Sequence, residues 1–201
     1  MKIMYVDCET TGLDPELNGI HQLSGIIEKD GVEIETFDFS IAPLITDVVE
    51  KAALEVSGVT AEQLGDYPNA HLVKGEFCKM LATHVDKFNK YDKFHFVAYN
   101  APFDSNFVRK WFEKQRDQYF GSWFWTPPID VMTLAGALLM DKRHELPNFK
   151  LATVADYLKI EMQLDKLHDA LYDVRLAREI FKRIGIMQSI LPPTTTQPAG
   201  V

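Results

Sequence analysis

Lys2-Ile3-Met4-Tyr5-Val6-Asp7-Cys8-Glu9-Thr10-Thr11-Gly12 opens as a β-prone apolar run, passes through two carboxylates and closes on a polar turn. Side chains two apart on a strand share a face, so Asp7 and Glu9 project together while Cys8 turns away. Two acids this close repel when both ionise, which raises at least one pKa unless a cation lies between them. A solvated strand end accounts for the pair alone equally well. Thr10, Thr11 and Gly12 tilt the reading toward a ligand, because a tight polar turn lets one approach the backbone closely.

Outward from this strand, Gly19–Glu28 and Val32–Ile41 are two more strand candidates, joined through Lys29-Asp30-Gly31. Asp-Gly between such runs predicts a hairpin, and so an antiparallel pair. From Ala70 to Phe88 the residues Leu72, Val73, Phe77, Met80, Leu81, Val85 and Phe88 recur at helical spacing. A buried strand is expected over Phe94–Tyr99. A helix then begins near Pro102, with Phe103, Phe107, Val108 and Trp111 on its core face. Ile129–Val131 reads as a short strand leading into the apolar segment Met132–Met140. Further helices are expected over Lys150–Leu158 and His168–Arg183. Strands followed by strand–helix alternation indicate α/β architecture with a mixed sheet. No internal repeat or inter-domain linker is evident. The expectation is one domain over 1–186 and a flexible tail over 187–201, rich in Pro, Thr and Gly at its end.

With 201 residues and 46% hydrophobic content, the chain can bury a substantial core. Cys8 and Cys78 form no C-x-x-C pair, which argues against a disulfide scaffold or zinc knuckle and fits a reducing compartment. No apolar run approaches a membrane span, and the N-terminus lacks a signal pattern, so a soluble, cytoplasmic protein without a membrane partner is expected. The formal charge of −8 argues against coating nucleic acid by charge alone. It leaves room for a catalyst that grips only a strand end.

Two more acidic segments follow. Asn100-Ala101-Pro102-Phe103-Asp104 puts an acid in a first helical turn, where favourable interaction with the helix dipole is explanation enough. Asn100 likewise suits a turn or cap. In His168-Asp169-Ala170-Leu171-Tyr172-Asp173, the histidine and the second aspartate are five apart and do not share a helix face. A histidine at the helix entrance can still swing toward a site that Asp173 enters from the helix. Asp165, Asp169 and Asp173 form an i, i+4, i+8 stripe that also reads as an exposed acidic face, and Asp169 rivals Asp173 as a ligand.

Taken in order, Asp-x-Glu-Thr, Asn-x-x-Phe-Asp and His-x-Ala-x-x-Asp closely resemble the DEDDh family of 3′→5′ exonucleases, which includes polymerase proofreading subunits, ribonuclease T and oligoribonuclease. The resemblance spans Lys2–Ile184. It extends to Val59-Thr60-Ala61-Glu62-Gln63-Leu64 and to Ile129-Asp130-Val131-Met132-Thr133-Leu134, where Val131 replaces a frequent threonine. It implies a ribonuclease H-like fold, a mixed five-stranded sheet flanked by helices. Asp7, Glu9, Asp104 and Asp173 are then the metal-binding acids and His168 the general base. Aspartate rather than tyrosine at 169 points to the histidine subclass and leaves Tyr172 for packing. Asp130 is a structural or supporting candidate.

The resemblance also implies two Mg²⁺ ions, with Mn²⁺ as a substitute, and release of nucleoside 5′-monophosphates from a single-stranded 3′ end. Thr10, Thr11, Leu13, Asn100 and Phe103 are candidates for holding the terminal nucleotide, though Phe103 suits the core as well. Lys142, Arg143, Lys150 and Lys166 are candidates for the phosphate backbone, each of them also readable as a solvated cation. DNA is favoured over RNA as substrate. A DNA polymerase partner and a homodimer stay open. The alternatives are an exoribonuclease, an aspartate-nucleophile phosphatase suggested by Asp7-x-x-Thr10, and a non-catalytic nucleic-acid-binding module. Glu9 breaks the Asp-x-Asp pattern usual in such phosphatases.

Overall fold

A computed structural model describes residues 1–167 and 169–190. His168 lies outside the described residues, as does 191–201 of the expected tail. Five strands form one sheet in the order β3-β2-β1-β4-β5. Strands β1 (Lys2–Thr10), β2 (Ile20–Lys29) and β3 (Val32–Ser40) are antiparallel neighbours, whereas β4 (His95–Ala98) and β5 (Ile129–Asp130) run parallel to β1. The sheet is thus mixed, as the strand pattern implies. At the β2–β3 turn both Asp30 (φ 52°) and Gly31 (φ 83°) take left-handed backbone, the twist a two-residue hairpin requires.

The helices are α1 (Lys51–Ser57), α2 (Ala61–Gly65), α3 (Ala70–His84), α4 (Ala101–Lys114), α5 (Phe120–Trp123), α6 (Val131–Leu138), α7 (Leu151–Tyr157) and α8 (Ala170–Ile190). Alternation along β1 feeds two cores. Met4, Val6 and Cys8 face a cluster with Phe77, Leu81, Phe107 and Trp111 from α3 and α4. Ile3 and Tyr5 face a second cluster with Val131, Val154, Val174 and Ile180 from α6, α7 and α8. Helix α8 is fastened to the sheet by a buried carboxylate: Glu28 of β2 accepts from Arg178 Nε at 2.6 Å and pairs with Lys182 at 2.9 Å.

Several boundaries differ from expectation. Helix α3 ends at His84, where Val85 turns extended, so Phe88 stands 86% exposed. Leu72 is also exposed, despite its helical spacing. Helix α8 starts at Ala170 and runs to Ile190, so 187–190, expected in the tail, is helical. Asp165 sits on a separate 3₁₀ turn (Leu164–Lys166), so the acidic stripe is not one helix face. Helices α1, α2 and α5 are additional. Thr60 and Gln63 cap α2 reciprocally, Gln63 N–H donating to Thr60 Oγ1 and Thr60 N–H to Gln63 Oε1. Among the described residues no helix is long and apolar enough to cross a membrane.

Candidate active site

The ladder between β1 and β4 runs only from Ile3 to Tyr5. Beyond Tyr5 the chain after β4 turns away into α4, while β1 continues to Thr10 against β2. The last residues of β1 thus lie at the carboxyl ends of the parallel strands, the usual ligand position in open α/β sheets. Asp7 and Glu9 share the parity of Ile3 and Tyr5 and so lie on the side of the sheet that α8 covers.

Asp104 enters from the first turn of α4. It is buried, at 3% exposure, and one oxygen is fixed by two donors on the strand: Cys8 N–H at 3.1 Å and Cys8 Sγ at 3.4 Å. Cys8 therefore anchors an acid from another element, a role the sequence reading missed; its only trace is a polarisable residue between two acids. Asp173 lies in the first turn of α8. Asp169 precedes that helix, and its carboxylate accepts Tyr172 N–H at 2.9 Å, which accounts for it as a helix cap.

The electrostatics tie these elements together. Burial pushes the Asp7 carboxyl well above its ordinary range, and Asp104, Glu9, Asp173 and Asp169 push it further. Glu9 is raised to about 7 by burial and by the charges of Asp173 and Asp169. Asp104 is raised as well, because burial outweighs its hydrogen bonds from Cys8. Carboxylates from β1, α4 and α8 thus share one field. Among the described residues no three His, Cys, Asp or Glu side chains are already arranged to hold one metal ion. The donors are hard oxygens whose charged forms are disfavoured as they stand, so their chemistry fits a hard divalent cation.

The turn after β1 is tightly knotted. Thr10 donates to Gly12 O at 2.7 Å. Thr11 is fully buried, its hydroxyl donating to Val48 O at 2.7 Å and accepting Gly19 N–H at 2.9 Å. The Thr11 hydroxyl thus ties the turn to Val48 and Gly19. A Cβ on Gly12 would come within 2.3 Å of the Asn18 side chain, so glycine is required here by close approach. Leu13, by contrast, is 80% exposed.

Asn100 is exposed and left-handed (φ 65°). Its N–H and that of Met132 donate to Asp130 Oδ1, and Thr133 donates to Oδ2, so Asp130 buckles the starts of α4 and α6 together. Phe103 is partly buried against the first core, its ring 4.8 Å from Phe107. Tyr172 packs on the second core. Lys142, Arg143, Lys150 and Lys166 are all exposed, Lys142 beside Glu145 and Arg143 over the Phe149 ring.

Fold and site define an α/β protein with carboxylates gathered at the strand ends. Residues 4–181 match the model of the RNase_T exonuclease family, and the chain belongs to that family. It is 28% identical over 188 residues to the DNA polymerase III PolC-type protein of Thermotoga petrophila, covering 93% of this chain and 12% of that relative. It is 25% identical over 188 residues to DNA polymerase III subunit epsilon of Rickettsia typhi, covering 90% of this chain and 72% of the relative. The chain thus spans about an eighth of the length of the PolC-type relatives and most of the epsilon subunit's. Its fold is shared with E. coli exonuclease I in complex with a dT13 oligonucleotide, at TM-score 0.75 and 20% identity over 94% of this chain and 42% of that one.

Proposed function

We propose that the chain is a 3′→5′ exonuclease that releases nucleoside 5′-monophosphates from single-stranded DNA. The observation that carries this reading is the shared field at Asp7, where acids from β1, α4 and α8 each raise its pKa. A packing surface gains nothing from gathering carboxylates that raise one another's pKa, whereas a cation-dependent hydrolase needs them.

In this reading Asp7, Glu9, Asp104 and Asp173 hold paired Mg²⁺ ions. When bound, these supply the charge that activates water and offsets the negative charge building on the phosphate. The remaining work belongs to the chain. Cys8 keeps Asp104 in one orientation through two hydrogen bonds. The strand holds Asp7 and Glu9 on a common side, at fixed spacing. His168, assigned from the sequence motif, accepts the proton of the attacking water, a role suited to a group that titrates near neutrality. Leu13 offers an exposed apolar contact to the terminal base. Thr10 and the turn backbone bound the space for the 3′ end, and Asn100 and Phe103 border it from α4. DNA as substrate is supported by the polymerase relatives and by the oligonucleotide held by exonuclease I. The same relatives support a polymerase partner, with residues 1–186 as the exonuclease module.

The test compares 5′-labelled and 3′-labelled DNA and RNA oligonucleotides in Mg²⁺ and in EDTA. The proposal expects a one-nucleotide ladder from 5′-labelled DNA, immediate release of labelled mononucleotide from 3′-labelled DNA, and neither in EDTA. Endonucleolytic fragments, 5′→3′ polarity, or full activity in EDTA would contradict it. Faster trimming of RNA would replace the substrate assignment and leave the chemistry standing.

A further inference from the structure

We propose that the loop between α3 and β4 is a second contact surface for single-stranded nucleic acid, at the end of the sheet opposite the carboxylates. The proposal rests on the exonuclease reading. Residues 86–94 read Asp86-Lys87-Phe88, Asn89-Lys90-Tyr91, Asp92-Lys93-Phe94: three copies of turn-former, lysine, aromatic. The structure repeats with the sequence. Asp86 Oδ1 accepts Phe88 N–H and Asn89 Oδ1 accepts Tyr91 N–H, both at 3.0 Å. Asn89 N–H donates to Asp86 O and Asp92 N–H to Asn89 O, so two β-turns follow each other.

The third unit anchors the other two. Asp92 accepts Asp86 N–H at 3.0 Å and pairs with Lys2, which also donates to His84 O. Phe94 is fully buried. A loop held this way spends little entropy on binding.

What it presents is unusual for a surface turn. Phe88 is 86% and Tyr91 74% exposed. The Lys87 ammonium lies 5.3 Å from the Phe88 ring centre, and that of Lys90 4.8 Å from Tyr91. Beside Phe88 runs a groove of about 550 Å³ whose walls include Lys79, Lys87 and Trp123. In a chain of net charge −8, residues 79–93 hold four lysines against two aspartates. A flat aromatic face and a cation repeated three residues apart suit stacked bases and the phosphates between them, and such contacts tolerate any sequence. An acidic peptide would use the cations but not two fully presented rings.

Lys2, bonded to Asp92, and Asp7 are five residues apart on β1, a span on the order of 17 Å. The loop therefore meets the strand several nucleotides away from the reacting end. Only longer substrates reach it.

The test is binding of thymidine dinucleotides, 20-mers and poly-glutamate in EDTA, followed by fluorescence anisotropy, for wild type and for Phe88→Ala/Tyr91→Ala. Loss of two stacking faces should weaken 20-mer binding at least tenfold, with hydrolysis of the dinucleotide in Mg²⁺ unchanged. Equal 20-mer affinity in the two proteins would overturn the proposal. So would a loss confined to poly-glutamate, which would make the partner an acidic protein. If wild type cleaves neither oligomer while the variant still loses 20-mer binding, the exonuclease reading fails and the binding surface stands.

Discussion

Replacing Glu9 with glutamine should stabilise the cation-free protein while abolishing its activity. The magnitude follows from the field at the site. Burial, and then Asp173 and Asp169, raise the Glu9 carboxyl from 4.5 to about 7. The folded state therefore holds a proton that the unfolded chain has already lost between these values, so stability falls as pH rises through that window. A shift of this size corresponds to at most about 3 kcal/mol above pH 7. Partial solvent access brings the expected figure to about 1–3 kcal/mol.

Glutamine keeps the shape and removes the charge. In EDTA its melting temperature should equal wild type near pH 4.5 and exceed it at pH 8 by roughly 2–12 °C, at ~2–4 °C per kcal/mol for a chain of this size. Adding Mg²⁺ should narrow or reverse the gap, because only wild type gains a full ligand set. Thermal melts at pH 4.5, 6 and 8, with and without Mg²⁺, provide the assay. A melting difference that does not change with pH, or a variant less stable than wild type at pH 8 in EDTA, would refute the reasoning.

Three further outcomes follow from the same structure. Arg178→Ala leaves Glu28, 2% exposed, with Lys182 as its remaining cation, and should cost about 3 kcal/mol, the low end for a broken buried pair. Urea unfolding reads this, and a cost below about 1 kcal/mol would show that the pair does not fasten α8. Gly12→Ala drives a methyl into Asn18 and should cost about 1–3 kcal/mol together with a loss of turnover; unchanged melting and kcat would contradict the close-approach argument. His168→Ala should lower kcat on the order of 10²–10⁴-fold with the pH-rate profile flattened near neutrality, and an unaltered profile would remove the general base assignment.

The antiparallel meander was legible because Asp30-Gly31 dictates its turn and alternation dictates its faces. The strand carrying Asp7 and Glu9 was legible for the same reason, since a period of two needs no tertiary information. Helix α4 could be placed from Pro102 and its apolar spacing. Less legible were features set by what lies across a contact. Leu72 and Phe88 fit the helical period, yet among the described residues nothing covers one and the helix has ended before the other. The cap Thr60-x-x-Gln63 was readable and passed over. That Thr11 clamps the turn depends on Val48 and Gly19, which only folding brings alongside. The triplet at 86–94 escaped a search for repeats because its period is three. The grouping of Asp104 with Asp7 came from motif order, not spacing, since nothing local connects residues 97 positions apart.

The claim on which the account turns is that carboxylates from β1, α4 and α8 act as one cation site. The most direct measurement is Mn²⁺ binding at pH 8, followed by electron paramagnetic resonance, in wild type, Asp7→Asn and Asp104→Asn. The account predicts saturable binding in wild type and its loss in both variants, with circular dichroism unchanged. The same occupancy and affinity in all three proteins would contradict it.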